Sequence, residues 1–542
     1  MKRWFLLFLL ALSLVACSRT EQPASTTSTQ PAIDDNKPRD GGTLYRRLET
    51  DIVSINPLLA ATKYDRYVDY YLFTPLIYLD ARLRPIPGLA DSWEISDDGL
   101  LYTFKLNEKA KFSDGAPVLP SDVLFTIRKV LDPHAEVVQL AGSFDLVDLT
   151  KSKVVDEHTV QIAFRQPLAA QLIRFLDLNI LPEHVYGKGD FAKDYNDKAV
   201  GSGPYKLVKY EPGAEIIVER RDDYWGTRPF IKTVVFKVIS DATTANNALK
   251  RGDVDETILQ SEPWLRDSTD AALTRKIDYK RFYTRQYNYV GWNGRNPLFA
   301  DKRVRKALAM CAPIDAIIND LFHRTARAMS GPFVPEEWAY NPTVAPVRYD
   351  PEEARHILTS AGWFDKDNDG VLEKGGKPFQ FSMIVLSRTG TGMQFAQLLQ
   401  SELKKIGVQM DIAVMEGASG LQRVLSGNYE AAYLAWDLDA DPDLYALFHS
   451  SQTPPRGQNF VFYSNPEADK LMEAGRRELD QSKRQEIYHQ LHALIAEDQP
   501  YLWVVQVSTK WAVNRRVRGI EISPALGPFS WYPGELGWWL AQ

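Results

Sequence analysis

Cysteine is nearly absent: 542 residues hold two, Cys17 and Cys311. With Cys17 engaged elsewhere no disulfide can form within the chain, so the fold must be held by its core. Long apolar runs are missing too. Trp4 to Val15 is almost wholly apolar, yet it falls short of the about 20 residues that a membrane-spanning helix needs, and no later run is longer. No basic stripe exists beyond Arg515, Arg516 and Arg518, and the formal charge is −6. Nucleic acid is therefore disfavoured as a partner. Internal repeats are absent. So are the zinc motif HExxH, the phosphate-binding GxxxxGK[ST] and the nucleophile elbow GxSxG. Ser401-Glu402-Leu403-Lys404 fits SxxK, but its companion motifs are missing and it sits within a helical pattern. No nucleophile–base pair emerges, and the chain is read as a non-enzyme.

What is present begins at the amino terminus. Met1-Lys2-Arg3, the apolar run and Leu14-Val15-Ala16-Cys17 read as a signal peptide over 1–16. The last four residues resemble a bacterial lipobox, in which Cys17 carries the lipid. Residues 17–40, rich in Ser, Thr, Pro and Gln, are too poor in apolar groups to offset their ordering entropy and read as a flexible tether. The chain is thus expected on the periplasmic or outer face of a bacterial membrane, anchored through Cys17. With 44% hydrophobic residues and 13 Trp, the rest can build a core, and its length calls for more than one.

Residues 88–128 are the most informative stretch. Trp93 and Ile95 alternate, Asp97-Asp98-Gly99 supplies a turn, and Leu100, Tyr102, Phe104 and Leu106 continue on one face as a β-hairpin. Phe112-Ser113-Asp114-Gly115 is a second turn, and Ser121-Asp122 is expected to cap a helix through Val123, Leu124, Ile127 and Val130. The order ADxWxxSxDGxxYxFxL, then FxDGxPxxxxDVxF, resembles the peptide/nickel-type extracellular solute-binding proteins, the dipeptide- and oligopeptide-binding receptors of ABC importers. GSGPY at 201–205, Asp223-Tyr224-Trp225, and the crossing segment 287–309 extend the resemblance over nearly all of residues 42–510.

The resemblance implies an α/β, two-lobe periplasmic-binding-protein fold of the large cluster C type, with an extra subdomain and a two-strand hinge. Lobe one is expected at 41–288, with the inserted subdomain at about 79–200. Lobe two would run from 289 to 504, and 505–542 would return to lobe one. The implied function is capture of peptides in a closing cleft and delivery to permease subunits, by a monomer. Alternatives are another small solute (an opine, oligosaccharide or metal complex), a ligand sensor or chaperone without a transporter, and a secreted hydrolase.

Helix signals accompany this pattern. Asp350-Pro351-Glu352-Glu353 starts one helix, Asn465-Pro466 another, and Ser482 with Gln485 would make a capping box for a third. Asp441-Pro442-Asp443 reads as N-cap, N1 and N2 of a helix over 444–450. That leaves Asp437 and Asp439 between a strand end and a helix start, where α/β folds place ligands. In peptide-binding relatives an Asp of this loop pairs with the peptide's ammonium group. The matching position here is Leu438, so Asp437 or Asp439 would substitute. Trp436 beside them packs on ligand or core. The resemblance also brings Asp51 and Asn56 of the first loop, and Tyr289, Trp292 and Asn293 at the crossing, toward the ligand. Arg388 is a candidate for a ligand carboxylate.

Asp365, Asp367, Asp369 and Glu373 fit the first half of an EF-hand calcium loop, but position 12 is Gly376 instead of a bidentate Glu. The alternatives are a weak structural calcium site and a plain Asp-rich turn. His489 and His492 share a helical face without a third ligand.

Overall fold

The computed structural model describes residues 37–387, 390–455 and 457–541. The residues read as a signal peptide, Cys17, the tether reading up to residue 36, and Arg388 lie outside them; at the end of that tether reading Asp40 instead pairs with Arg220 and Arg228 of the first lobe. Among the described residues no helix is long and apolar enough to cross a membrane.

The first strand, Thr43–Leu48, pairs in parallel with Thr233–Val238, which continues antiparallel through Glu215–Arg220 to Tyr205–Glu211. Pro212-Gly213 makes the last hairpin, with Gly213 in the left-handed region at φ +76°. Between Thr43–Leu48 and this hairpin the chain builds a second, antiparallel sheet from Ala90–Ile95, Leu101–Leu106, Thr159–Ala163 and Lys153–Val154. Tyr102, Phe104 and Leu106 point to one buried face, as their period-2 spacing requires.

Helix Pro120–Leu131 covers that sheet, and its start differs from the sequence reading. Pro120 takes the first helical position, where its missing N–H costs nothing. Asp122 caps from inside the helix: Oδ2 accepts from Leu119 N (2.8 Å), and Oδ1 accepts from Glu183 N (2.9 Å). One carboxylate thereby joins two helix starts.

The second lobe is built on a six-stranded sheet ordered Ala326–Ala328, Tyr501–Val507, Gln286–Trp292, Ala431–Asp437, Gln380–Leu386, Gln409–Met415. Its last three strands are parallel to one another, with helix Gly390–Lys405 as a crossover. Gln286–Trp292 is covered on both faces, so successive residues are all buried from Tyr289 to Trp292.

The lobes are joined where two strands pass side by side. Ile277–Phe282 pairs with Thr509–Asn514 in the first lobe; Gln286–Trp292 pairs with Tyr501–Val507 in the second. Gln506, fully buried, donates from Nε2 to Thr284 O (2.7 Å) and ties the two crossings together. The tail then packs Trp511, Trp531, Trp538 and Trp539 into the first lobe's core, and Cys311 is a buried free thiol pushed up to about 12 by burial.

Two other helix starts also differ. Asp480, not Ser482, caps helix Gln481–Asp498, accepting from Ser482 N and Lys483 N. After strand Ala431–Asp437, Asp443 accepts from Tyr445 N (3.1 Å) at the start of the short helix Tyr445–Phe448. Asp441 does not cap it. Its two oxygens take a fork from Arg484, 2.6 Å to each nitrogen. Burial makes the pair worth more than a cap, because the guanidinium, which also donates to Gly475 O and Tyr488 OH, would otherwise be left in the core without a counter-charge. Asp441→Asn should therefore lower unfolding free energy by about 3–5 kcal/mol in chemical denaturation, against the about 1 kcal/mol of a lost N-cap.

Candidate functional site

Between the lobes lies a cavity of about 520 Å³. Helix Lys63–Leu72 forms one wall. Its start is fixed by a capping box: Thr62 Oγ1 accepts from Asp65 N, and Asp65 Oδ2 accepts from Thr62 N (2.6 Å). Asp65 Oδ1 also takes Val53 N, so the loop before the helix is pinned to it. The helix buries Tyr64, Val68, Tyr71 and Leu72 in the first lobe. The other side presents Lys63, Arg66, Tyr67 and Tyr70 to the cavity, at helical spacing. Tyr70 OH donates to Trp531 O (2.7 Å), locking this wall to the tail segment whose Ala525, Leu526 and Phe529 also line the space.

The opposite wall is the 437–440 loop of the second lobe. Leu438 N donates to Arg285 O (2.7 Å), which holds the loop against the crossing segment. Asp437, Asp439 and Arg285 all line the cavity. A third side comes from the inserted subdomain, through Leu140, Leu176, Asp177 and Asn179.

The charges here are close but unpaired. Among the described residues, the side chains of Lys63, Arg66, Asp177, Asp437 and Asp439 make no hydrogen bond or ion pair to protein. Arg285 is half-buried, and its Nε and one Nη have no partner. Asp437 and Asp177 open onto the cavity, yet the cleft walls enclose them. Enclosure raises both carboxyls above the usual range. For Asp437 the cations Arg285, Lys63 and Arg66 oppose that rise, for Asp177 Arg66 and Arg285 oppose it, and Asp439 adds to both. Such a site can take a small ligand carrying charge, with the apolar wall receiving the rest of it.

Of the described residues singled out from sequence as ligand contacts, Asp437 and Asp439 line this cavity and the others do not. Tyr289 is 1% exposed and stacks on Tyr501 at 4.0 Å. Trp292 packs on Phe299 and Phe381. Asn293 donates to Gly427 O and Tyr429 O, so it ties loops of the second lobe. Tyr289 and Trp292 sit in a sheet covered on both faces, and Asn293, just past the strand end, is buried, so none of the three is open to a ligand. Trp436 stacks between Tyr289 and Phe460 and donates to Tyr501 OH. Asp51 accepts from Gly213 N, and Asn56 caps the turn at Pro57–Leu59; the first loop reaches the cavity through Pro57 instead.

Lys63, Arg66, Asp177 and Arg285 went unread. The first two carried a signal: Lys63, Arg66, Tyr67 and Tyr70 repeat at i, i+3, i+4, i+7. Asp177 lies in a loop whose surroundings arise only on folding.

Asp365, Asp367 and Asp369 bring carboxylate oxygens within 4.8 Å of one another. Each also accepts from a turn amide, of Gly370, Asp369 and Val371 respectively. Glu373 accepts from Lys366 N (3.1 Å), and Gly376 turns the hairpin at φ +72°. The three aspartates could hold a cation; the ligand an EF-hand has at position 12 is lacking. His492 is buried, accepts from Asn341 N at Nδ1 (3.0 Å), and is pushed down to about 4 by burial.

Behind Arg285 lies Glu337, 5% exposed, with Oε1 unpartnered and Oε2 accepting from Val334 N (3.0 Å). Burial pushes its carboxyl up to about 8, with Arg285 opposing. A carboxyl raised on folding contributes stability while protonated and loses it as pH climbs through the folded value. Glu337→Gln should therefore gain stability relative to wild type from pH 5 to pH 9, reaching about 3 kcal/mol. Paired denaturant melts across that range check it; parallel curves contradict it.

The family model of the bacterial extracellular solute-binding proteins, family 5, matches residues 84–457. The oligopeptide-binding protein AppA of Bacillus subtilis (strain 168) is 29% identical over 549 residues, spanning 99% of this chain and 98% of the relative. The dipeptide-binding protein of Escherichia coli (strain K12) is 26% identical over 485 residues, 85% of this chain and 86% of the relative. The solved structure of Bacillus subtilis AppA in complex with a nonapeptide aligns with a TM-score of 0.77 at 28% identity, covering 93% of this chain and 100% of that one. The substrate-binding protein CtaP of Listeria monocytogenes aligns with a TM-score of 0.81 at 24% identity, over 93% of this chain and 100% of that one, which bears on the fold alone. Two lobes, a cavity between them and a family match over most of the length agree: this chain belongs to the bacterial extracellular solute-binding proteins, family 5.

Proposed function

We propose that this solute-binding protein is the peptide receptor of an ABC importer, anchored to the membrane through a lipid on Cys17. The observation that carries the peptide reading is the cavity itself. It places unpaired carboxylates and unpaired cations around a space of about 520 Å³ that also has an apolar side. A peptide offers an ammonium, a carboxylate and a polar main chain to the first, and side chains of varied shape to the second. Charge-assisted hydrogen bonds in an enclosed cleft supply affinity, and waters around the side chains tolerate sequence variety.

In this reading the two side-by-side crossings act as a hinge. Ligand contacts made from both walls favour the closed arrangement, because only that state makes them all. The closed form would then be what permease subunits receive. No step of covalent chemistry is involved.

Small-angle scattering tests the closure. Adding a pool of random peptides of two to five residues should lower the radius of gyration. Retention of peptides with no compaction would contradict the hinge; no retention at all would contradict the peptide reading and favour another small solute. The anchor is tested separately. Cys17→Ser should move the protein from the membrane to the soluble fraction, because stable anchoring rests on the lipid chains. An unchanged membrane fraction would refute it.

A further inference from the structure

The lobes also meet apart from the crossing strands. Helix Pro466–Arg477 of the second lobe ends, like any helix, on carbonyls without a donor of its own. Ala169 of the inserted subdomain supplies one: its N–H donates to Arg476 O (2.8 Å). Arg476 is itself held in place, with Nε 3.0 Å from Asp443 Oδ2 and the guanidinium over the Tyr445 ring at 4.1 Å. Just past it, Leu479 stands in the turn between helices Pro466–Arg477 and Gln481–Asp498. Its side chain crosses to Gly99, in the turn that joins Ala90–Ile95 to Leu101–Leu106. A Cβ added to Gly99 would lie 3.4 Å from Leu479 Cδ1 and 3.1 Å from Pro167 Cβ. A hairpin turn ordinarily faces water. Asp97 and Asp98 do so here, while Gly99 is buried beneath Pro167 and Leu479.

None of these residues lines the cavity, yet each side of the contact leads into it. From Ala169 the chain runs through helix Gln171–Arg174 to Leu176 and Asp177 of the cavity wall. Arg174 donates to Ser143 O (2.9 Å), which braces that run against helix Val138–Phe144, the bearer of Leu140 on the same wall. From Asp443, which holds Arg476, the chain runs back to Ala440 and Asp439 on the facing wall. Parting the lobes would break the Ala169 bond and uncover Gly99. A contact made only while the walls face each other favours that arrangement, whatever lies between them.

We propose that Arg476 and Leu479, closing on Ala169, Gly99 and Pro167, form a latch that holds the two lobes together independently of the ligand's chemistry. This rests on the hinge reading above and gives the closing motion a contact outside the cavity. Release of a ligand must first undo the latch, so the latch sets how long a ligand stays and does not choose which ligand enters. One side chain tunes it. A carboxylate at position 479 would stand beside Asp97 and Asp98 and oppose the contact; an ammonium there would favour it. Salt would weaken both effects.

The test compares full-length wild type with Leu479→Glu, Leu479→Ser and Leu479→Lys; Leu479 is 47% exposed in a turn, so all three should fold. Hydrogen exchange without added peptide is read first, by mass spectrometry. Ala169 lies in the other lobe from Leu479, so exchange of its amide reports parting of the lobes and not damage at the mutated turn. Leu479→Glu should speed exchange of the fragment holding Ala169 at least about threefold, the least that uncovering part of a leucine would do. Leu479→Ser should fall between it and wild type, Leu479→Lys should stay near wild type, and high salt should narrow the gap between the charged variants. Release is read second. An isotope-labelled pool of random peptides of two to five residues is bound, then chased with the unlabelled pool under native mass spectrometry. Leu479→Glu should shorten the residence of every retained peptide by one common factor of about 3 to 10. Wild-type exchange at Ala169, or wild-type residence times, in Leu479→Glu would overturn the latch and leave the peptide reading standing. So would a reordering of the peptides, which would make Leu479 a ligand contact. If the pool is not retained at all, the peptide reading falls, and exchange at Ala169 alone decides the latch.

Discussion

Six ionisable side chains converge on one cavity without pairing with one another: Lys63, Arg66, Arg285, Asp177, Asp437 and Asp439. Opposite charges this close would ordinarily collapse into ion pairs. Here they are held apart by what carries them. The capping box at Thr62 and Asp65 fixes the helix that bears Lys63 and Arg66. The bond from Leu438 N to Arg285 O fixes the loop that bears the two aspartates. Enclosure without pairing is costly for a charge, and that cost makes the cavity receptive to a ligand with charges of its own. Most of the remaining architecture keeps these walls facing each other.

The crossing strands do this with little material. Two antiparallel segments side by side join the lobes along one edge, and Ala169 N donates to Arg476 O (2.8 Å) from one lobe to the other. Gln506, bonded to Thr284 O, welds the two segments where they pass. Arg285 follows directly, so the cavity begins at the junction. On the second-lobe side the buried pair of Asp441 with Arg484 backs the aspartate loop, and neither member can shift without leaving the other's charge uncompensated. Rigidity behind the loop matters because a binding charge must be where the ligand expects it before the ligand arrives.

Much of this was legible in the chain. The hairpin at residues 88–106, the helix starts at Asp350 and Asn465, and the alternation around Gly213 follow from local rules. The motif order over those elements carried the family and the two-lobe fold. What failed was of one kind. Asp441 has the spacing of an N-cap, yet Arg484, 43 positions away, takes it. Ser482 has the spacing of a capping box, yet the helix already begins two residues earlier, with Asp480 accepting from Ser482 N and Lys483 N. Tyr289 and Trp292 resemble cleft residues, yet a sheet covered on both faces encloses them, and Asn293 beside them is tied to the carbonyls of Gly427 and Tyr429. Local spacing states what a side chain is able to do, and the tertiary partner decides which option is used. Asp177 and Arg285 are the same case reversed: nothing around them in the chain marks them, and only folding brings them beside Asp437 and Asp439.

The account turns on those unpaired charges being the ligand's own contacts. A crystal structure of the protein with whatever ligand it carries through purification tests this directly. It should show an extended peptide main chain in the interlobe cavity, with its charged ends within about 3 Å of cavity side chains of opposite charge. An uncharged ligand in the cavity, or a peptide that leaves Asp177, Asp437 and Asp439 all facing water, would contradict it.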